Sequence, residues 1–264
     1  MSETADTIVA ETDGRIGRFT INRAEKRNAM TLAMWRRMGD VFEDWAKDPG
    51  IRVIVVRGAG DTCFCAGNDI SEFETLRATP DQVRDYDAVT ARAYAALRDV
   101  PKPTIARIAG FCIGGGLEVS QLCDIQIAAS SATFAVTPAK LGLGYKLDDV
   151  MLLTGNVGPK FAKELLFTGR RFPAADALRM GLVNSVVPDD ELDAAVEAYA
   201  AEIAANAPLS VTAAKLIVHE AIRDEAVRDE ALCRRLVDTC HESRDYLEGS
   251  RAFAEKRQPE FKGG

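Results

Sequence analysis

The fold of this chain is decided by one short stretch, Ile108-Ala109-Gly110-Phe111-Cys112-Ile113-Gly114-Gly115-Gly116-Leu117-Glu118. An apolar strand runs into three glycines, and these glycines are predicted to open a helix. Such a turn exposes backbone N–H groups, and the helix dipole adds partial positive charge to them. Because glycine lets a ligand approach the main chain closely, the turn is a candidate binding site. The alternative is that the glycines only permit tight packing of strand against helix.

A second glycine-bearing turn follows an earlier buried strand and reads Cys63-Phe64-Cys65-Ala66-Gly67-Asn68-Asp69-Ile70. One N–H group from each turn could converge on a single oxygen atom. That arrangement is an oxyanion hole, which stabilises negative charge developing on a carbonyl group. Neither turn matches the dinucleotide, P-loop or G-x-S-x-G patterns, so those three site classes are disfavoured.

Strand and helix patterns alternate on both sides of these turns. The helix expected after Thr31 carries an apolar stripe of Trp35, Met38, Phe42 and Trp45 at spacings of three and four residues. Short links between strands and helices predict a mostly parallel sheet covered by helices, an α/β fold. The predicted strands are 7–11, 15–22, 51–56, 104–108 and 124–129, and the predicted helices are 31–47, 82–98 and 114–122.

The character of the chain changes near Pro159, after which the patterns are nearly all helical. We therefore divide the chain into an α/β core, residues 1–187, and a C-terminal helical region, residues 188–264. The helical region is expected to pack on the core or on a neighbouring subunit. Its two apolar stripes are Leu192, Val196, Tyr199 and Ile203, then Leu209, Ala213, Leu216, Ile217 and Ile222.

Composition excludes several classes of function. The net charge of −7 argues against a protein that binds a nucleic-acid backbone. Only two histidines occur, His219 and His241, which disfavours a histidine-rich metal site or a histidine-based triad. The six cysteines show no CxxC pair, and no leader pattern or run of about 18 apolar residues is seen. We expect a cytoplasmic chain with free thiols that neither spans nor binds a membrane.

Motifs along the whole chain resemble those of the enoyl-CoA hydratase/isomerase family, the crotonase superfamily. No single motif is specific, but together they are. The matching positions are Asn22-Arg23, Asn28-Ala29, 64–70, 102–106, Gly110-Phe111, 114–118, Cys123-Asp124, Phe134, Leu141-Gly142, 166–169, 174–177, 181–183, Glu248-Gly249, Ala252-Phe253, Lys256-Arg257 and Phe261.

The resemblance implies a spiral of ββα units with a C-terminal helical region that makes a homotrimer or a hexamer built as a dimer of trimers. It implies an acyl-CoA thioester as substrate, with no separate cofactor and no metal. The thioester oxygen would accept hydrogen bonds from the N–H groups of Ala66 and Gly115, and Glu118 would transfer a proton. The CoA tail would pass Lys26 and Arg27. Phe253 and Lys256 would reach the CoA of a neighbouring subunit. Other positions expected to contact the substrate are Gly67, Asn68, Asp69, Ile70, Gly114, Pro138 and Tyr145.

One departure from the pattern concerns the second carboxylate. Hydratases of the family resemble one another in using two glutamates, and Glu118 matches the first. Depending on the alignment, the second falls on Pro138 or Ala139, neither of which carries a proton. Substitutes in the next loop are Tyr145, Asp148 and Asp149. Hydration needs an activated water and a proton delivered to carbon, and each well-placed group contributes roughly 10²–10⁴-fold.

Three activities therefore stay open at this point. The first is a hydratase-like reaction in fatty-acid or related acyl-CoA metabolism. The second is isomerisation, decarboxylation or hydrolysis of an acyl-CoA, each of which uses the same oxyanion hole. The third is acyl-CoA binding without turnover.

Overall fold

A computed structural model describes residues 7–264 of the chain. The strands within this range, in chain order, are Ile8–Asp13 (β1), Ile16–Ile21 (β2), Val53–Gly58 (β3), Cys63–Cys65 (β4), Thr104–Ile108 (β5), Phe111–Ile113 (β6), Ile125–Ala129 (β7), Thr133–Ala135 (β8), Phe172–Pro173 (β9) and Ser185–Val187 (β10). The α-helices are Leu32–Lys47 (α1), Phe73–Leu76 (α2), Pro80–Asp99 (α3), Gly115–Leu122 (α4), Leu147–Thr168 (α5), Ala174–Met180 (α6), Leu192–Ala205 (α7), Pro208–Ala221 (α8), Glu230–His241 (α9) and Arg244–Glu255 (α10).

The strands form two sheets that are wound together. The larger sheet has the order β1-β2-β3-β5-β7-β10 and the smaller has the order β4-β6-β8-β9. The pairs β3/β4, β5/β6 and β7/β8 each give one strand to the larger sheet and the next to the smaller. Pairing is parallel except for the β1–β2 hairpin and the short β8–β9 pair. The predicted α/β class and mostly parallel sheet are confirmed.

The sequence of strand β3 is mostly apolar because both faces of the strand are covered. Ile54 and Val56 point into the main core between the sheets and helices, whereas Val53 and Val55 point into a second core under α7. A strand covered on both faces has no position left for polar alternation. Strand β5 is likewise buried along its whole length, and it is followed by the short strand β6, which leads into the three-glycine turn.

Helix α1 forms as its sequence predicts. The hydroxyl of Thr31 accepts a hydrogen bond from the Met34 amide at 3.2 Å and caps the first turn. All four members of the predicted stripe are buried. The helix lies beside α3, so the two helices together form one wall of the region above the glycine turns.

The chain after Pro159 is less uniform than its helical pattern predicts. Strands β9 and β10 interrupt the helices, and β10 completes the larger sheet beside β7. Helix α7 buries Leu192 and Val196 against that sheet, whereas Tyr199 stands 42% exposed because Ala200 and Ala204 take the inner face. In α8 only Ala213 of the predicted stripe is buried within the chain and Ile222 is 80% exposed, so the packing of this stripe on a neighbouring subunit stays a prediction.

No single helix in the described range has the length and hydropathy needed to cross a membrane. The segments 189–205 and 208–221 pass such a test only when joined, and the chain bends by 107° between them.

Candidate active site

The two glycine turns lie against each other where β4 and β6 end. Gly67 has a φ of +90°, and a Cβ there would stand 2.9 Å from the amide nitrogen of Gly115. A side chain on Gly67 would push the turns apart. The predicted convergence of two backbone segments is therefore present, and only glycine permits it.

The three consecutive glycines do different work. A Cβ on Gly116 would stand 2.1 Å from the carbonyl oxygen of Cys65, so this position serves packing. Gly114 needs glycine because of its backbone angles, φ 55° and ψ −124°. A Cβ on Gly115 would point instead towards the hydroxyl of Tyr94, 3.2 Å away. Both predicted roles of the turn, packing and ligand access, are thus assigned to different residues.

The amide of Ala66, expected as the first oxyanion-hole donor, is not free. The N–H of Ala66 already donates to the carbonyl oxygen of Arg27 at 3.1 Å, so it is committed inside the protein. Two residues on, the amide of Asn68 has no acceptor within residues 7–264. Its nitrogen lies 3.8 Å from the Cβ position of Gly115. As the first residue of α4, Gly115 also has no intrahelical acceptor for its N–H.

Neighbouring contacts hold Asn68 in place. The Met30 amide donates to the Gly67 carbonyl and the Asp69 amide donates to the Met30 carbonyl, both at 2.8 Å, so the backbone is fixed on either side. The side-chain oxygen of Asn68 accepts from the indole N–H of Trp35 at 2.8 Å. The side chain therefore anchors the turn inside the protein, and the backbone N–H is the group left for a ligand.

Glu118 stands in the first turn of α4, close to these two amides. Its Oε1 atom is buried and has no hydrogen-bond partner in the described part of the chain. Burial raises the pKa of Glu118 to about 9, and the neighbouring Asp149 carboxyl adds to the rise, whereas Tyr94 and Lys146 act in the opposite direction. The carboxyl is therefore protonated at neutral pH in the empty site.

The second carboxyl group comes from the first turn of α5. Asp149 is half-buried and faces Glu118, whereas Asp148 is exposed. Pro138 lines the same cavity without carrying a proton, and Ala139 does not line it. Of the three substitutes predicted from the sequence, the structure brings Asp149 and Tyr145 against Glu118.

These groups surround a cavity of about 600 Å³ that opens between α3 and the loop 142–146. Lys146 ties that loop to α3 through an ion pair with Asp87 at 2.9 Å, and Arg77 binds the other oxygen of the same carboxylate. A more open hollow of about 920 Å³ beside α10 is lined by none of the glycine-turn residues. Of the predicted site residues, the cavity wall contains Ala66, Gly67, Asn68, Ile70, Gly114, Gly115, Glu118, Pro138 and Tyr145.

The remaining predicted site residues lie elsewhere. Asp69 forms an ion pair with Arg23 at 2.6 Å, and its carboxylate accepts a hydrogen bond from the Ser71 amide. Both contacts lie within the protein. Lys26 and Arg27 are exposed and outside the cavity wall. Phe253 is 89% exposed, and Lys256 ends α10 in a left-handed conformation. Their predicted contacts with CoA stay predictions.

Three free cysteines line the inner side of the two turns. Cys63, Cys65 and Cys112 are all buried. Burial raises the pKa of Cys65 to about 12 and that of Cys63 to about 11, so both thiols stay protonated. They fill space behind the site as small apolar side chains.

Sequence reasoning missed Tyr94. The residue lies on α3, more than twenty positions before Glu118, and no motif marks it. Its ring packs edge-on against Trp35, with centroids 5.1 Å apart, and its hydroxyl reaches the cavity. A tyrosine on the inner face of an amphipathic helix is the one available signal, and it cannot be told from a core residue.

Two amides lie beside the carboxyl groups of Glu118 and the half-buried Asp149, at the junction of two wound sheets. Such an arrangement is able to stabilise charge on a carbonyl oxygen and to move a proton next to it. The model of the enoyl-CoA hydratase/isomerase family matches residues 11–264. The chain belongs to this family, and the crotonase fold and an acyl-CoA enzyme are thereby confirmed.

Relatives span nearly the whole length. The chain is 35% identical over 261 residues to the probable enoyl-CoA hydratase of Mycobacterium tuberculosis, covering 98% of each chain. It is 38% identical over 242 residues to the carnitinyl-CoA dehydratase of Proteus mirabilis, covering 90% of this chain and 92% of the relative. The crystal structure of an enoyl-CoA hydratase/carnithine racemase from Magnetospirillum magneticum superposes with a TM-score of 0.91 at 39% identity, covering 97% of this chain and 95% of that one.

Proposed function

We propose that this enzyme adds water to, and removes water from, the α,β-double bond of an acyl-CoA thioester. The observation that carries the proposal is the pairing of Glu118 with Asp149 beside two amides that have no other acceptor in residues 7–264. Relatives named as hydratases and a dehydratase support the same reaction class.

The backbone amides of Asn68 and Gly115 form the oxyanion hole in this proposal. Both are fixed before the substrate arrives, because each is held by its own turn. Donors that need no rearrangement stabilise the enolate oxygen strongly, and loss of one such donor typically costs about 10²–10³-fold in rate. Asn68 replaces Ala66 as the first donor, since the Ala66 amide is occupied.

The carboxyl pair divides the proton transfers. In the hydration direction Glu118, protonated at neutral pH, gives its proton to the α-carbon, and Asp149 takes a proton from the water that attacks the β-carbon. In the dehydration direction the two roles are reversed. Because Asp149 supplies the second carboxyl, the absence of glutamate at 138 and 139 no longer argues against hydration. Isomerisation, decarboxylation and hydrolysis need no such pair, so the geometry favours them less.

A panel of CoA thioesters tests the reaction class directly. Crotonyl-CoA, its β,γ-unsaturated isomer and a malonyl-type thioester are incubated separately, and products are followed by mass. Hydration adds one water, isomerisation leaves the mass unchanged, decarboxylation loses carbon dioxide and hydrolysis frees CoA. We expect the first outcome, with Asp149→Asn lowering its rate by about 10²-fold or more and Asp148→Asn leaving it within a few-fold. Equal losses in the two aspartate variants, or any other product as the main one, contradict the proposal.

We also propose that the chain assembles as a homotrimer or hexamer. Support comes from large apolar side chains left in water on the single chain, including Phe167 at 75%, Ile222 at 80% and Phe253 at 89% exposure. Such side chains concentrate where another surface covers them. Light scattering at micromolar concentration is expected to give three or six times the chain mass, and a monomer would contradict this.

We also propose a cytoplasmic location, and six free cysteines support it.

A further inference from the structure

One polar atom in the cavity lacks the partner that a buried group normally has. The Oε1 atom of Glu118 is buried and makes no hydrogen bond within residues 7–264. The Tyr94 hydroxyl stands in the same part of the site, 3.2 Å from the Cβ position of Gly115. Buried polar atoms of folded proteins are almost always satisfied, so an unsatisfied one calls for a function. Both groups line the same cavity and face each other.

Packing fixes where the Tyr94 hydroxyl can be. The ring stands edge-on to Trp35 at an interplanar angle of 84°, and Trp35 is fully buried and bonded to Asn68. The hydroxyl is therefore held beside Gly115 by the same residues that hold the oxyanion turn.

We propose that Tyr94 is a positioning residue whose hydroxyl donates a hydrogen bond to the Glu118 carboxylate each time that carboxylate forms. This inference rests on the proposed function. When Glu118 gives its proton to the α-carbon, the carboxyl O–H bond breaks and its electron pair stays on the carboxylate. The tyrosine donor then stabilises that charge in a site from which water is largely excluded. When the proton returns, the hydrogen bond weakens again.

Other groups around Glu118 cannot take this role. Asp149 carries the same sign of charge, and the amine of Lys146 is held by Asp87. Tyr145 also lies beside Glu118, but it is carried by the loop 142–146, whereas the Tyr94 hydroxyl is held by α3 beside Gly115. The titratable or charged groups that face Glu118, from α3, the loop and α5, are Tyr94, Tyr145, Lys146 and Asp149.

The test compares Tyr94→Phe with Tyr145→Phe, which removes the other hydroxyl near Glu118. The infrared band of the protonated Glu118 carboxyl is identified by its loss in Glu118→Gln and then titrated with pH. Removing a donor to the carboxylate makes the carboxyl hold its proton more tightly. We therefore expect the midpoint to rise by about one pH unit in Tyr94→Phe and to stay in place in Tyr145→Phe. The alkaline limb of kcat is expected to move by the same amount and direction.

The possible results separate this inference from the proposed function. Equal midpoints in wild type and Tyr94→Phe, with both proteins folded by circular dichroism, overturn it. A lower kcat without any shift of the limb also overturns it, because a merely steric role has that effect. If the infrared midpoint moves but no CoA thioester is turned over, the hydrogen bond stands and the proposed reaction fails.

Discussion

Replacing Glu118 by Gln is expected to lower kcat/KM for hydration by about 10²–10⁴-fold, the contribution of one well-placed acid–base group. Glutamine keeps the shape of the side chain but can neither give nor accept the proton. The measurement is the initial rate of hydration of the thioester that proves best in the panel. A variant that retains a tenth or more of the wild-type rate would remove Glu118 from the mechanism.

The stability of Glu118→Gln tests whether the Glu118 carboxyl is buried as described. Because burial raises the pKa of Glu118 to about 9, the folded protein binds this proton more tightly than the unfolded chain does. Wild-type stability therefore falls as the pH rises from about 4.5 towards 9, by at most about 1.4 kcal/mol per pH unit. Glu118→Gln lacks this penalty, so it is expected to gain stability over wild type between pH 5 and pH 8. Urea unfolding at several pH values measures it, and a variant less stable at pH 8 would contradict the burial argument.

Alanine substitutions at the neighbouring Gly116 and Gly115 are expected to have different effects. The first lowers stability and the second lowers activity. In Gly116→Ala the new Cβ would stand 2.1 Å from the Cys65 carbonyl oxygen, and backbone must move to admit it. A loss of about 3–5 kcal/mol of folding free energy is expected. In Gly115→Ala the nearest atom is the side-chain hydroxyl of Tyr94, 3.2 Å away, and no backbone atom is closer than 3.5 Å, so the protein folds but the oxygen site is crowded. Its activity is expected to fall by about 10²–10³-fold.

Paired measurements decide this prediction. Urea unfolding gives the stability of each variant, and the hydration rate gives the activity of whichever variant is folded. If Gly115→Ala unfolds as readily as Gly116→Ala, the division of roles within the turn is wrong. If Gly115→Ala is folded and fully active, the thioester oxygen binds elsewhere.

Much of the fold could be predicted because its elements are decided locally. Thr31 and the stripe from Trp35 to Trp45 specify α1 within themselves, and an unbroken apolar run specifies a strand covered on both faces. Tyr199 was placed on the inner face of its helix in error, for the opposite reason. Helix α7 is rich in alanine, so more than one face can turn inward, and the sheet it packs on selects among them.

The site was predicted in part for a similar reason. Both turns and Glu118 lie in short segments whose glycines could be recognised in the sequence. The choice between Ala66 and Asn68 depends on which amide already has an acceptor, and that acceptor, the Arg27 carbonyl, comes from a distant turn. Asp149 was one of three substitutes with equal claims until the path of the chain into α5 placed it against Glu118. Tyr94 carried no local signal at all.

The buried thiols behind the glycine turns can report how often this part of the protein opens. A reagent that attacks thiolates meets Cys233 and Cys240 on half-buried helix surfaces, whereas Cys63, Cys65, Cys112 and Cys123 are shut away in the protonated form. Each of these four reacts only during the moments when its surroundings open. The rate at which these four cysteines become labelled would therefore measure how often the structure around them opens, and the measurement needs no substrate.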